Sequence, residues 1–318
     1  MTDRDAGADS LGVEVWRGCV NTWECDEMGH MNVRFYVAKA MEGLVGLAAA
    51  LGMPQAFSPH ANATLLVREQ HIRFQREARP GAPLFMRGAV IEMAENEARL
   101  LLVLFHANGE PAASFQTVAA HIAAGDDARP FAWPRRTLDL AAALTTPTPA
   151  YAASRSVGLE PLASRASLAK ADALGLMTIS AGAIDGAHCD VFGRMRVEQF
   201  IGRVSDGIAA LASESRAVIA ETAAAPPGRT GGAVLEYRLA HLGWPRAGDR
   251  FVVRSGMAGI DARMQRLVHW MLDPLSGRPW GVSEAVAVTL DLEARKIVPI
   301  SEAAQAALSR RVIADLTL

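Results

Sequence analysis

Residues 26–36 read Asp26-Glu27-Met28-Gly29-His30-Met31-Asn32-Val33-Arg34-Phe35-Tyr36, and the apolar run they open continues to Leu51. An acid, a glycine, a histidine and an amide thus fall within seven residues immediately ahead of a helical pattern. The spacing predicts a polar loop feeding a helix that begins near Val33, with Asn32 placed to cap it. A helix N-terminus presents N–H groups without intrahelical partners, so polar side chains and backbone donors converge on one point. Such a point can bind and polarise a carbonyl oxygen.

The stretch recurs. Setting Cys25–Leu47 over Cys189–Leu211 gives seven identities in 23 ungapped positions, among them Asp26 with Asp190, Gly29 with Gly193 and Gly43 with Gly207. Chance would give one or two at roughly average residue usage. Farther on, Arg79-Pro-Gly-Ala-Pro-Leu-Phe aligns with Arg246-Ala-Gly-Asp-Arg-Phe-Val, and Asn108-Gly-Glu-Pro with Ser276-Gly-Arg-Pro. The chain therefore reads as two copies of one unit of about 130 residues, an ordinary domain size. The expected division is 1–122, a connection over 123–165 with a packing segment around Trp133, and 166–318 ending in a terminal helix. The Thr145-Thr-Pro-Thr-Pro run within the connection is stiff and extended.

Each copy has the same predicted order. A short strand (Val13–Val20; Met177–Ala183) precedes the loop. A helix follows, over 33–51 in the first copy and 197–220 in the second. The first helix is apolar on nearly every side, which predicts burial all round. Four strands come next, over 64–75, 84–93, 99–105 and 112–122 in the first copy. Ile72 and Phe74 alternate with His71, Arg73 and Gln75, the pattern of a half-buried strand. Asn108-Gly109 predicts a hairpin turn.

Composition removes several functional classes. The formal charge is −2 with acids and bases interspersed, so there is no electrostatic footprint for nucleic acid or an anionic membrane. Three cysteines without a Cys-x-x-Cys pair argue against a disulfide framework or structural zinc and fit a reducing, cytoplasmic compartment. The polar N-terminus lacks the apolar core of a signal peptide. No charge-free apolar run reaches the roughly 18 residues of a membrane span. No phosphate-binding loop, dinucleotide fingerprint, His-Glu-x-x-His or Gly-x-Ser-x-Gly is present, and neither a cofactor nor a metal is expected.

The Asp26-x-x-Gly29-His30-x-Asn32 spacing resembles the signature of hotdog-fold acyl-CoA and acyl-ACP thioesterases, the 4-hydroxybenzoyl-CoA thioesterase-like group. The resemblance is strongest over 13–122 and weaker over 176–291. It implies an α+β architecture of two tandem hotdog domains, each a long central helix wrapped by an antiparallel sheet. It also implies hydrolysis of an acyl-CoA or acyl-ACP thioester, with Asp26 as nucleophile or as the base that activates water. Thioester hydrolysis makes modest demands, because the leaving thiolate has a conjugate acid near 8.5 by analogy with cysteine. An activated oxygen and donors for the oxyanion suffice. His30 is a candidate to bond the carbonyl or orient water, and Asn32 to cap the helix or orient Asp26. Turn-forming and loop-packing roles are the plainer readings of Asp26 and His30.

The second copy departs from the signature. Arg194 stands where His30 does, and Arg196 where Asn32 does. Asp190, Arg194 and Arg196 mark a possible second, altered site. The two arginines are expected at an exposed helix start, with a grip on a phosphate or carboxylate as the alternative. An enoyl-thioester hydratase or dehydratase, and a non-catalytic acyl-CoA-binding protein, are the competing readings. A homo-oligomer of the doubled chain is a further expectation.

Overall fold

The computed structural model describes residues 10–125, 129–222 and 230–318. The N-terminal residues 1–9, read above for a leader, and 126–128 of the connection lie outside them. The chain divides into two compact units, Met1–Ala153 with Cys189–Glu198, and Ser154–His188 with Gln199–Leu318.

The first unit runs β1 (Val13–Cys19), a 3-10 turn (Thr22–Glu24), α1 (Val33–Ala50), β2 (Ala63–Phe74), β3 (Pro83–Met93), β4 (Glu97–His106), β5 (Pro111–Ala123) and α2 (Arg135–Ala143). Its strands lie in the order β1-β3-β4-β5-β2, each pair antiparallel. The second unit has α3 (Leu168–Ala173), β6 (Met177–Ala183), a 3-10 turn (Gly186–His188), α4 (Val197–Ser205), α5 (Ile208–Thr222), β7 (Thr230–His241), β8 (Arg250–Ile260), β9 (Gln265–Leu272), β10 (Pro279–Asp291), β11 (Lys296–Ile297) and α6 (Glu302–Ser309). Its order β6-β8-β9-β10-β7 repeats the first, again antiparallel throughout. Each unit is a hotdog: a central helical segment against one antiparallel sheet.

The repetition extends past the strands. After α2, Leu144 and Thr146 bond the backbone of Val90 on β3. After α6, Ile313 bonds that of Met257 on β8. Arg87 of β3 donates to the carbonyls of Leu11 and Gly12, and Arg254 of β8 to that of Leu176, so each arginine ties down the chain ahead of its first strand.

Three expectations need correction. Burial on α1 is confined to one broad face, Tyr36, Val37, Lys39, Ala40, Gly43, Leu44, Leu47 and Ala48, while Val45 is 42% exposed. The second helix is two helices. The break falls at Gly207, which backs so closely onto the Ile179 carbonyl of β6 that a Cβ there would lie 1.9 Å from the oxygen. Strand β2 is covered on both faces rather than one. His71 and Arg73 are buried because the segment after α2 crosses that face. Arg73 donates to the Ala153 carbonyl (3.2 Å), Gln75 to that of Tyr151 (2.9 Å) and Gln116 of β5 to that of Ala152 (2.8 Å). Polar side chains on a covered face must find partners, and here they fasten the crossing chain. Trp133 stacks on His121 of β5 with centroids 4.6 Å apart.

Candidate functional site

The loop before α1 is a closed hairpin. The Asn32 N–H donates to the Glu24 carbonyl (2.9 Å), Cys25 pairs with Met31, and Asp26 N–H donates to the His30 carbonyl (2.9 Å). Gly29 closes the turn at φ 75°, with its N–H on the Asp26 carbonyl (3.0 Å). That left-handed angle favours glycine. Asp26 is half-buried. Its Oδ1 accepts the N–H groups of Met28 (3.0 Å) and His30 (3.3 Å). Among the described residues, no donor holds Oδ2.

Asn32 caps α1: its side chain accepts the Arg34 N–H at 3.0 Å. The Phe35 N–H is taken by the Asn32 carbonyl. The N–H of Val33, the first helical residue, has no hydrogen-bond partner among the described residues. The hairpin thus sets a half-buried acid in the loop that leads into a helix start which retains a donor.

The imidazole of His30 is buried and its Nε2 lies 3.3 Å from the Glu77 carboxylate, in the link between β2 and β3. The His30 backbone, through its N–H and carbonyl, makes the bonds to Asp26. Two neighbouring groups, Cys25 and Tyr36, are held in their protonated forms. Burial, with the Asp26 and Glu24 carboxylates close by, pushes the Cys25 thiol above its ordinary range, so it stays protonated. Burial likewise raises Tyr36, whose hydroxyl accepts the Ala78 N–H (3.0 Å) and donates to the Arg76 carbonyl (3.4 Å). Tyr36 therefore pins the chain after β2.

The second hairpin repeats the first in backbone and differs in side chains. Cys189 pairs with Met195, Asp190 N–H donates to the Arg194 carbonyl (2.7 Å), and Gly193 has φ 75°. Asp190 Oδ1 accepts the N–H groups of Phe192 and Arg194, both at 2.9 Å. Here the other carboxylate oxygen is occupied: Arg194 Nε donates to Oδ2 at 3.2 Å. Arg194 is buried, against the expectation of a solvated helix start, and the carboxylate it grips belongs to its own loop. Arg196 is exposed as expected and pairs with the buried Glu198 (3.1 Å). Glu198 occupies the first turn of α4, where the first copy has Arg34.

The sequence reading missed Glu24, Lys39 and Glu77, which pack around the first hairpin. A cation on the buried face of an apolar helix was the available signal for Lys39. No group of three or more His, Cys, Asp or Glu among the described residues is placed to hold a metal. No helix among them is long and apolar enough to cross a membrane.

Comparison with known proteins completes the picture. Three solved structures share the fold over both units. A protein described as an oleoyl thioesterase from Lactobacillus plantarum has 9% identity and a TM-score of 0.65, over 87% of this chain and 96% of its own. The 12:0-ACP thioesterase of Umbellularia californica has 10% identity and a TM-score of 0.62, over 86% and 92%. An acyl-ACP thioesterase from Bacteroides thetaiotaomicron has 10% identity and a TM-score of 0.60, over 88% and 99%. No curated protein matches the sequence. The family model of the thioesterase-like superfamily matches residues 20–144 and again 186–308. With that unit present twice and covering most of its length, the chain belongs to the thioesterase-like superfamily.

Proposed function

We propose that the protein hydrolyses acyl thioesters carried on coenzyme A or acyl carrier protein, with Asp26 as the reacting carboxylate. Membership of the thioesterase-like superfamily supports the reaction class. The observation that carries the assignment of Asp26 is the contrast between the two hairpins. Asp26 Oδ1 is held by two backbone N–H groups and, among the described residues, no donor takes Oδ2, whereas Arg194 occupies Oδ2 of Asp190.

In the proposed step the thioester carbonyl oxygen takes the Val33 N–H, and the positive end of the helix dipole stabilises the charge that develops there. Oδ2 of Asp26 removes a proton from water as the water oxygen bonds to the carbonyl carbon, or attacks that carbon itself. The C–S bond then breaks, and the sulfur departs as thiolate and takes up a proton. The products are a carboxylic acid and a thiol. On the second route water cleaves an Asp26 anhydride. A single turnover in 18O-labelled water separates the routes: the direct water route labels the product, and the anhydride route allows label to enter Asp26.

At the second copy, three changes oppose the same chemistry. Arg194 neutralises Asp190. Arg196 replaces the cap. Glu198 places a carboxylate in the first helical turn, where an oxyanion would be repelled. The working reading is one hydrolytic centre per chain, at Asp26.

The test is thiol release from a panel of acyl-CoA and acyl-carrier-protein thioesters of varied chain length and aromaticity. Turnover of any panel member that Asp26→Asn removes supports the reading. Absence of turnover across the panel, or turnover that Asp26→Asn leaves intact, contradicts it.

A further inference from the structure

Next to the Asp26 hairpin lies an ion pair away from solvent. Glu24 is 8% and Lys39 4% exposed, and Lys39 Nζ meets Glu24 Oε1 at 2.8 Å. Lys39 projects from the second turn of α1, with its ammonium 5.1 Å from the ring centroid of Trp16 on β1. The other oxygen of Glu24 accepts the Asn21 N–H at 2.8 Å. The backbone carbonyl of Glu24 accepts the Asn32 N–H, the bond that opens the catalytic hairpin. One residue therefore joins the hairpin to the body of the helix.

Stability alone is a poor account of this pair. Removing two charges from water is costly, and well-packed apolar residues of similar volume are often as stable or more so. What an ion pair supplies beyond that is a fixed geometry between two points. The second copy supports this reading. The positions equivalent to Glu24 and Lys39 are His188 and Arg203. Arg203 donates to His188 Nδ1 at 2.9 Å. Both residue types have changed, yet a side-chain bond still links the base of the hairpin to the second turn of the helix.

We propose that Glu24 and Lys39 are positioning residues, which hold the hairpin so that Asp26 Oδ2 keeps its register with the first N–H of α1. This rests on the reading of Asp26 as the reacting carboxylate. A positional error of about 1 Å is enough to slow an enzyme some 100-fold. Loss of the pair should therefore appear in kcat more than in KM.

The experiment compares Glu24→Leu/Lys39→Met, an apolar replacement, with Glu24→His/Lys39→Arg, which installs the second copy's solution. Thermal unfolding and thiol-release kinetics are measured on both. The apolar pair is expected to unfold near the parent's temperature, with kcat lowered about tenfold or more and KM within about threefold. The His/Arg pair should recover most of the lost kcat. An unchanged kcat in the folded apolar variant overturns the proposal, as does a His/Arg pair no better than Glu24→Leu/Lys39→Arg, in which residue 24 offers the arginine no acceptor. The latter comparison decides the matter if the apolar variant does not fold. Activity that survives Asp26→Asn would instead remove the reading underneath.

Discussion

Asp26 meets His30 at the His30 backbone and not at its ring. Oδ1 of Asp26 accepts the His30 N–H at 3.3 Å, the Asp26 N–H donates to the His30 carbonyl at 2.9 Å, and the imidazole turns to Glu77 instead. The loop is thus no Asp–His dyad in which the acid tunes the imidazole. On the proposed function the acid is the reacting group, and the histidine, paired with Glu77, ties the loop to the link between β2 and β3.

Substitutions at His30 and Glu77 should reflect that division. Glu77→Gln keeps an acceptor for the imidazole and is expected to hold kcat within about threefold. His30→Ala leaves space in a buried position and loosens the loop. It should lower both the unfolding temperature and kcat, by less than the roughly 100-fold associated with losing a general base. A loss from Glu77→Gln as large as that from Asp26→Asn would show that the pair takes part in proton transfer.

Gly29 and Gly193 offer a test of hairpin strain in both copies. Each has φ 75°, and nothing lies within 4 Å of a Cβ built on Gly29. Alanine at Gly29 therefore meets backbone strain without a clash, about 1–2 kcal/mol. Denaturant unfolding of Gly29→Ala and Gly193→Ala should show comparable losses of stability. Only Gly29→Ala should also reduce kcat measured on the folded protein.

The second unit carries a pH-sensitive element in its core. Burial pushes His269 down to about 3, and its Nδ1 shares a hydrogen bond with the Ser255 hydroxyl at 2.8 Å. Burial also lowers His121 in the first unit. An unfolded histidine titrates near 6.5. Above that pH both states are neutral, and the full stability is present. Below it the unfolded chain takes up a proton that the folded chain refuses, so stability falls as the pH drops from about 6.5 toward 3. Urea midpoints between pH 7 and 5 should decline, and His269→Gln should flatten that decline. A midpoint that rises as pH falls over this range would contradict the assignment.

Much of the fold was legible because the chain repeats a distinctive string. The Asp-x-x-Gly spacing located both hairpins, and alternation at Ile72 and Phe74 located β2. What escaped had physical causes. Arg87 and Arg254 align two residues past the Arg79 and Arg246 stretches, but alignment does not reveal that each side chain ties down the chain ahead of its first strand. Burial of His71 and Arg73 depends on a distant segment, residues 150–153, crossing the sheet. The break at Gly207 comes from contact with the Ile179 carbonyl, while helical periodicity runs on through it. Of the candidate site, the acid, the glycine turn, the histidine and the helix cap of the hairpin were readable from sequence. That Arg194 folds back onto Asp190 was not, since an arginine at a helix start is more often exposed.

The central claim is that one of two nearly identical hairpins carries the reaction. Its most direct test is kcat/KM for Asp26→Asn beside Asp190→Asn on the best thioester of the panel. Asparagine keeps the oxygen that accepts the two backbone N–H groups, so both hairpins should persist. Asp26→Asn is expected to lose about 100-fold or more, and Asp190→Asn, which releases Arg194, a few-fold at most. Equal losses from the two substitutions, or a greater loss from Asp190→Asn, would contradict the account.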